Sequence, residues 1–143
     1  MVKNGFEIIY RAGDVRMRVW GKTIKDLFRH ALNGMASYLK PEVFALVRKE
    51  GAAVKQKIKV EAVDLNSLLI EFLSGVIADA DVHNAIFTSV TFKKFGENFL
   101  EGVINGARVD GFDKDIKAIS YQEVNVRKNQ DTGMYETILV FDV

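Results

Sequence analysis

The stretch Asp14-Val15-Arg16-Met17-Arg18-Val19-Trp20, running on through Gly21-Lys22-Thr23-Ile24-Lys25-Asp26-Leu27-Phe28, decides the fold class. In its first seven residues apolar and charged side chains alternate. Val15, Met17 and Val19 fall on one face and Asp14, Arg16 and Arg18 on the other, which is the period of a half-buried strand. Gly21-Lys22 turns the chain, and Thr23 with Asp26 three residues later forms a helix N-cap. Ile24, Leu27, Phe28, Ala31, Leu32, Met35 and Leu39 then recur at helical spacing. Pro41, the only proline, sits where that helix should stop.

Upstream, the apolar run Phe6 to Tyr10 supplies another strand, closed by Ala12-Gly13. Downstream, residues 42–53 show no clear period, and Val54 to Val63 alternates Ile58 and Val60 with Lys57 and Lys59 as a strand. Asp64 caps a second helix bearing Leu65, Leu68, Leu69, Phe72, Leu73, Val76 and Ile77, which the Asp79-Ala80-Asp81 cluster is expected to end. Ile86 to Phe95 and Phe99 to Ala107 flank a Gly96-Glu97-Asn98 turn as a hairpin. A polar loop covers Asp110 to Asp115. Lys117 to Lys128 and Met134 to Phe141 flank Asn129-Gln130-Asp131-Thr132-Gly133 as a last hairpin. The expected architecture is α+β: a mostly antiparallel sheet with two amphipathic helices packed on one face, in one domain over residues 1–143.

Composition narrows the chemistry. The chain has 143 residues, 48% of them hydrophobic and none of them cysteine. That length buries an adequate core without staples. The lack of cysteine excludes disulfides, thiolate metal sites and a cysteine nucleophile. No apolar run is long enough to span a bilayer and no signal peptide opens the chain, so a cytoplasmic location is expected by default. The net charge is +1, yet residues 1–60 hold 13 Lys and Arg against 5 Asp and Glu, and residues 61–143 hold 7 against 14. Such asymmetry accompanies either an electropositive surface or two halves whose charges mix in the fold.

Motifs for nucleotide-binding loops, a nucleophile elbow or a zinc helix are missing. The two histidines, His30 in the first helix and His83 in the loop expected after the second, form no network. The last hairpin is more informative. A turn centred at Asn129–Gln130 sets Lys117 opposite Asp142, whereas one centred at Asp131–Thr132 offsets them by about four residues, roughly 13 Å. In both registers Lys117 opens its strand near where Asp142 closes the next. The carboxylates of Asp142 and Val143, with one more nearby, suit a hard cation such as Ca²⁺ or Mg²⁺. From geometry alone, a solvated chain end with one surface salt bridge is the favoured reading.

Four blocks carry a resemblance. The first runs from Asp14 to Thr23 with Leu27-Phe28, Ala31-Leu32 and Gly34-Met35. The second is Val60-Glu61-Ala62 with Asp64-Leu65, Leu68-Leu69 and Phe72-Leu73. Ile116-Lys117-Ala118-Ile119-Ser120-Tyr121 is the third, and Leu139-Val140-Phe141-Asp142-Val143 the last. Together, in order and over most of the chain, they resemble the archease family, α+β proteins that assist RtcB-type RNA ligases in tRNA splicing. The resemblance implies a non-enzymatic accessory that promotes guanylylation of the ligase and its multiple turnover. It further implies a divalent-metal site, calcium or magnesium, at Asp14 and Asp142 with Val143 adding oxygens, and a functional Lys117 contacting nucleotide or partner.

The chain departs from that pattern at three places. Tyr10-Arg11-Ala12-Gly13-Asp14 stands where the family writes Asp-His-Thr-Ala-Asp. Gln122 replaces a histidine, and the loop Gly106 to Asp110 is short and lacks a Gly-Glu pair. Arg11 beside Asp14 would compete with a metal by ion pairing. A metal-free protein-binding or chaperone-like module is therefore the alternative. A weak or indirect RNA contact is a third reading, through Arg11, Arg16 and Arg18 as phosphate contacts and through Lys22, Lys25 and Arg29.

Overall fold

The computed structural model describes residues 5–50 and 53–143. Phe6–Arg11 (β1) and Asp14–Gly21 (β2) make the opening hairpin, paired from Phe6↔Val19 to Arg11↔Asp14. Burial alternates along β2 as its sequence requires, with Met17 and Val19 fully enclosed. Ile24–Leu39 (α1) starts at Thr23, whose Oγ1 accepts the N–H of Asp26 at 3.0 Å. Pro41 ends α1 and also opens Pro41–Glu50 (α2). A proline at the first helical position gives up only a donor that has no intrahelical partner there. Sequence showed no period here because the helix is short and buries only Phe44 and Val47 among its described side chains.

Val54–Glu61 (β3) leads to Leu65–His83 (α3), where Asp64 accepts the N–H of Ser67 at 2.8 Å. The Asp79-Ala80-Asp81 cluster does not end this helix. Ala80 is buried against the core, and α3 continues until Asn84, in left-handed conformation (φ 48°, ψ 58°), bonds its N–H to the Ala80 carbonyl. His83 is thus the last helical residue and not a loop residue.

Ala85–Phe95 (β4) and Phe99–Arg108 (β5) form the expected hairpin. Two irregularities interrupt β4, between Phe87 and Ser89 and between Phe92 and Lys94. Glycine permits both. A Cβ on Gly106 would lie 1.7 Å from the Ile86 carbonyl oxygen, and one on Gly102 2.2 Å from that of Thr91.

The strand expected over residues 117–128 is broken. Ala118–Ser120 (β6) and Arg127–Lys128 (β7) both pair with Tyr135–Asp142 (β8), and residues 121–126 leave the ladder between them. Side chains satisfy the backbone there. The Asn66 carbonyl oxygen accepts Val126 N–H and the Thr137 hydroxyl accepts Asn125 N–H, each at 2.8 Å.

The α+β class holds, with three helices and two antiparallel sheets among the described residues. One sheet has the order β1-β2-β8-β6, with β7 also on β8; the other has the order β3-β5-β4. The third helix is α2, and the single expected sheet is two because β2 pairs with β8 while β3 pairs with β5. Helix α1 packs on β2 of one sheet and β4 of the other, and α3 spans β3, β4 and β6. Phe28 and Phe72 stack 5.7 Å apart where α1 meets α3, and Phe28 meets Phe95 edge-on at 5.0 Å. Among the described residues no helix is long and apolar enough to cross a membrane.

Candidate carboxylate site

Sheet register assembles the site. Val15 pairs with Phe141 across β2 and β8, so one step further Asp14 faces Asp142. Residues opposed in this way have Cα atoms about 4.5–5.5 Å apart and side chains on one face. Arg11 stands opposite Asp14 on β1, and Ala118 opposite Asp142 on β6. Arg11, Asp14, Asp142 and Ala118 therefore form one row across the solvent face, above the buried row of Val15, Phe141 and Ile119.

Lys117 falls one residue short of direct opposition to Asp142. Its backbone N–H donates to the Asp142 carbonyl at 2.7 Å, and its side chain is exposed with no partner among the described residues. Of the two registers that sequence allowed, the closer one is thus right to within a residue. Val143 follows, also exposed.

Arg16, not Arg11, engages Asp14. Its guanidinium lies 3.5 Å from the Asp14 carboxylate and closes on the Glu123 carboxylate from the other side. Burial works against the Arg16 charge, but hydrogen bonding and attraction from Glu123, with smaller help from Asp14, hold its pKa above the ordinary value. Glu123 has φ 65°, a left-handed geometry disfavoured for any residue with a Cβ. Sequence reading passed over it because it falls in the stretch taken for a continuous strand. Arg18 is likewise occupied, 3.8 Å from Glu136 and stacked on the Trp20 ring at 4.7 Å. Arg29 pairs with Asp26. His30 uses Nδ1 to bond the Trp20 carbonyl at 2.6 Å, tying α1 to the end of β2.

A divalent ion has little to bind here. Hard cations take six or more oxygens, several of them carboxylate. Among the described residues no three Asp, Glu, His or Cys side chains gather for one. Asp14 Oδ1 and Arg16 Nε are enclosed without a hydrogen bond to any group, 3.5 Å from each other, so the cation nearest Asp14 is the guanidinium. The residues present do not fit a calcium or magnesium cage while Arg16 holds Asp14. What the row offers is a two-carboxylate edge and a guanidinium that partly neutralises it, with Lys117 one residue along the chain from the row.

Comparison with known proteins bears on the whole chain. The profile of the Archease protein family (MTH1598/TM1083) matches residues 6–143. Protein archease of Pyrococcus furiosus is 28% identical over 91% of this chain and 92% of its own, and that of Methanosarcina mazei 20% identical over 96% and 95%. The solution structure of Methanobacterium thermoautotrophicum protein 1598 superposes with a TM-score of 0.77 at 18% identity, covering 99% of this chain and 100% of its own. A Thermotoga maritima archease, described as a possible chaperone, gives 0.60 at 15% identity over 94% of each chain. At those identities the two structures speak for the fold, and the profile match speaks for kinship. The chain belongs to the archease family.

Proposed function

We propose that this protein is a non-catalytic accessory of an RtcB-type RNA ligase, acting in the cytoplasm in tRNA splicing or RNA repair. It would promote guanylylation of the ligase and its repeated turnover. The observation that carries this reading is the β2–β8 register, which ends at Val15 and Phe141 with Asp14 and Asp142 next along their strands, and the backbone bond from Lys117 to Asp142. Paired carboxylates on an open sheet face suit the engagement of a partner's basic or metal-bearing centre. With Lys117 they supply both signs of charge to a nucleotide-handling site in another protein. The site lacks a positioned nucleophile–base pair, which fits a helper better than a catalyst.

In this reading the edge works without a resident Ca²⁺ or Mg²⁺, because Arg16 supplies the positive charge beside Asp14. The test is stimulation of a cognate ligase in single- and multiple-turnover joining. Asp14→Ala and Asp142→Ala should each abolish stimulation while circular dichroism and thermal midpoint stay close to wild type. Full stimulation by a folded double variant would overturn the assignment.

The alternative of a chaperone-like module without ligase specificity is favoured by one observation. Asp14 already has an internal partner, so the edge is less available than an open carboxylate pair. Equal protection of unrelated aggregating proteins, with no ligase effect, would select that reading.

A further inference from the structure

The second sheet has an outer face that α1, α2 and α3 leave uncovered. Strand alternation projects Lys55, Lys57 and Lys59 from β3 onto it, all exposed, while Ile58 points into the core. Register continues the rows across the sheet. Lys57 faces Val103 with Thr91 beyond, and Lys59 faces Glu101 with Lys94 beyond. The irregularity between Phe92 and Lys94 turns Lys93 to the same side, where it lines a shallow groove with Lys57, Lys59 and Glu101. A second groove holds Lys59, Lys94, Phe99 and the carboxylates of Glu61 and Glu101. Phe99 is 43% exposed, on the same side of β5 as Glu101 and Val103.

Five ammonium groups thus share a face with two carboxylates, those of Glu61 and Glu101. Among the described residues none of the five has an ion-pair partner, whereas Arg16, Arg18 and Arg29 are all paired. The positive field is therefore only partly opposed here, whereas three of the arginines on β2 and α1 are paired.

We propose that this face binds a single nucleic-acid strand, with backbone phosphates on Lys57, Lys59 and Lys93 or Lys94 and a base stacked on Phe99. Lysines at alternate strand positions recur every ~6.7 Å, twice the strand rise, so successive ammonium groups meet a regularly repeating anion. An aromatic ring beside such a row is the usual means of holding unpaired bases without reading their sequence. Lysines also guard a sheet edge against strand addition, but that duty does not account for an exposed phenylalanine in the groove between Lys59 and Lys94. This surface lies on the other sheet from Asp14 and Asp142, and the inference is independent of the ligase reading.

The test needs the protein alone with a short labelled oligouridylate, read by fluorescence anisotropy from about 50 to 200 mM salt. Binding should weaken with salt at a log–log slope of about −0.7 for each phosphate neutralised. The triple variant Lys57→Gln, Lys59→Gln, Lys93→Gln should lose at least about tenfold in affinity at low salt and about two units of slope. Phe99→Ala should weaken binding with the slope unchanged, and Lys22→Gln with Lys25→Gln, at the start of α1, should bind as wild type. Any of three results overturns the proposal: no binding at the lowest salt, a folded triple variant that binds as wild type, or an acidic peptide of equal charge that binds as tightly. A triple variant that only self-associates, with RNA affinity intact, would reduce the lysines to edge guards.

Discussion

The carboxylate of Glu123 closes on the guanidinium of Arg16 across 107 residues of sequence, from a backbone held at φ 65°. The contact brings the irregular segment between β6 and β7 back onto β2. There it fixes the cation that Asp14 also shares.

Removal of that guanidinium should change what Asp14 binds. Chelator-stripped wild type should show no carboxylate-dependent heat on titration with Ca²⁺ or Mg²⁺. Arg16→Ala should acquire divalent binding that disappears when Asp14→Ala is added. Calorimetry decides it, and wild-type calcium binding that Asp14→Ala abolishes would refute the guanidinium's role.

Position 123 separates side chain from backbone. Glu123→Gly loses the ion pair but relieves the left-handed φ, whereas Glu123→Val loses the pair and keeps the strain. Urea unfolding should find the valine variant less stable than the glycine one by about 1–2 kcal/mol. Equal stabilities would show that the segment relaxes out of that conformation.

Asp79 gives a pH signature. Burial pushes its carboxyl above the ordinary 3.8, and the positive charge of His83 draws it partway back. A folded-state pKa raised above the unfolded one favours the protonated form in the fold. The group's contribution is therefore most favourable below the unfolded pKa and is lost as pH rises through the folded value. Asp79→Asn should raise the thermal midpoint at neutral pH, and the gain should vanish in acid. A gain that persists below the unfolded pKa would place its cause in something other than the charge of Asp79.

Two core substitutions calibrate the fold. Phe28→Ala opens a void among Phe72, Phe95 and both sheets, and should cost about 3–5 kcal/mol in denaturant titrations. Gly106→Ala places a methyl group against the Ile86 carbonyl, which cannot retreat without breaking the β4–β5 ladder, so little soluble protein is expected. Near-wild-type stability of either would mean that the elements shift more freely than their packing implies.

Where periodicity was strong, sequence told the structure. Alternation along Asp14 to Trp20, the Thr23 and Asp64 caps, and the Phe28 and Phe72 faces all appear as read. It was silent or misleading where few residues set the outcome. Helix α2 offers only two buried described side chains, and Ala80 carries α3 past two aspartates that look like a stop. The break at 121–126 depends on Asn66 and Thr137, which no local pattern connects to Val126 and Asn125. In the candidate site, the register of β6 on β8 was legible to one residue. Asp142 came into view through the last hairpin and Asp14 only through family resemblance, since a pairing between β2 and β8 leaves no local mark. Glu123 carried no signal at all.

That pairing has a kinetic consequence. Residues 15–21 pair with β1 on one side, but on the other they find their partners only in residues 135–141. One edge of the opening hairpin therefore stays bare until the last strand of the sheet reaches it. Assembly dominated by so distant a contact is slow, and during the wait β2 is the strand most exposed to adventitious pairing. The face that joins Asp14 to Asp142 is thus a late product of folding. No fragment lacking either end would display it, so any loss of partner stimulation in a truncated or heat-stressed protein reports incomplete closure of this seam before it reports damage to a binding residue.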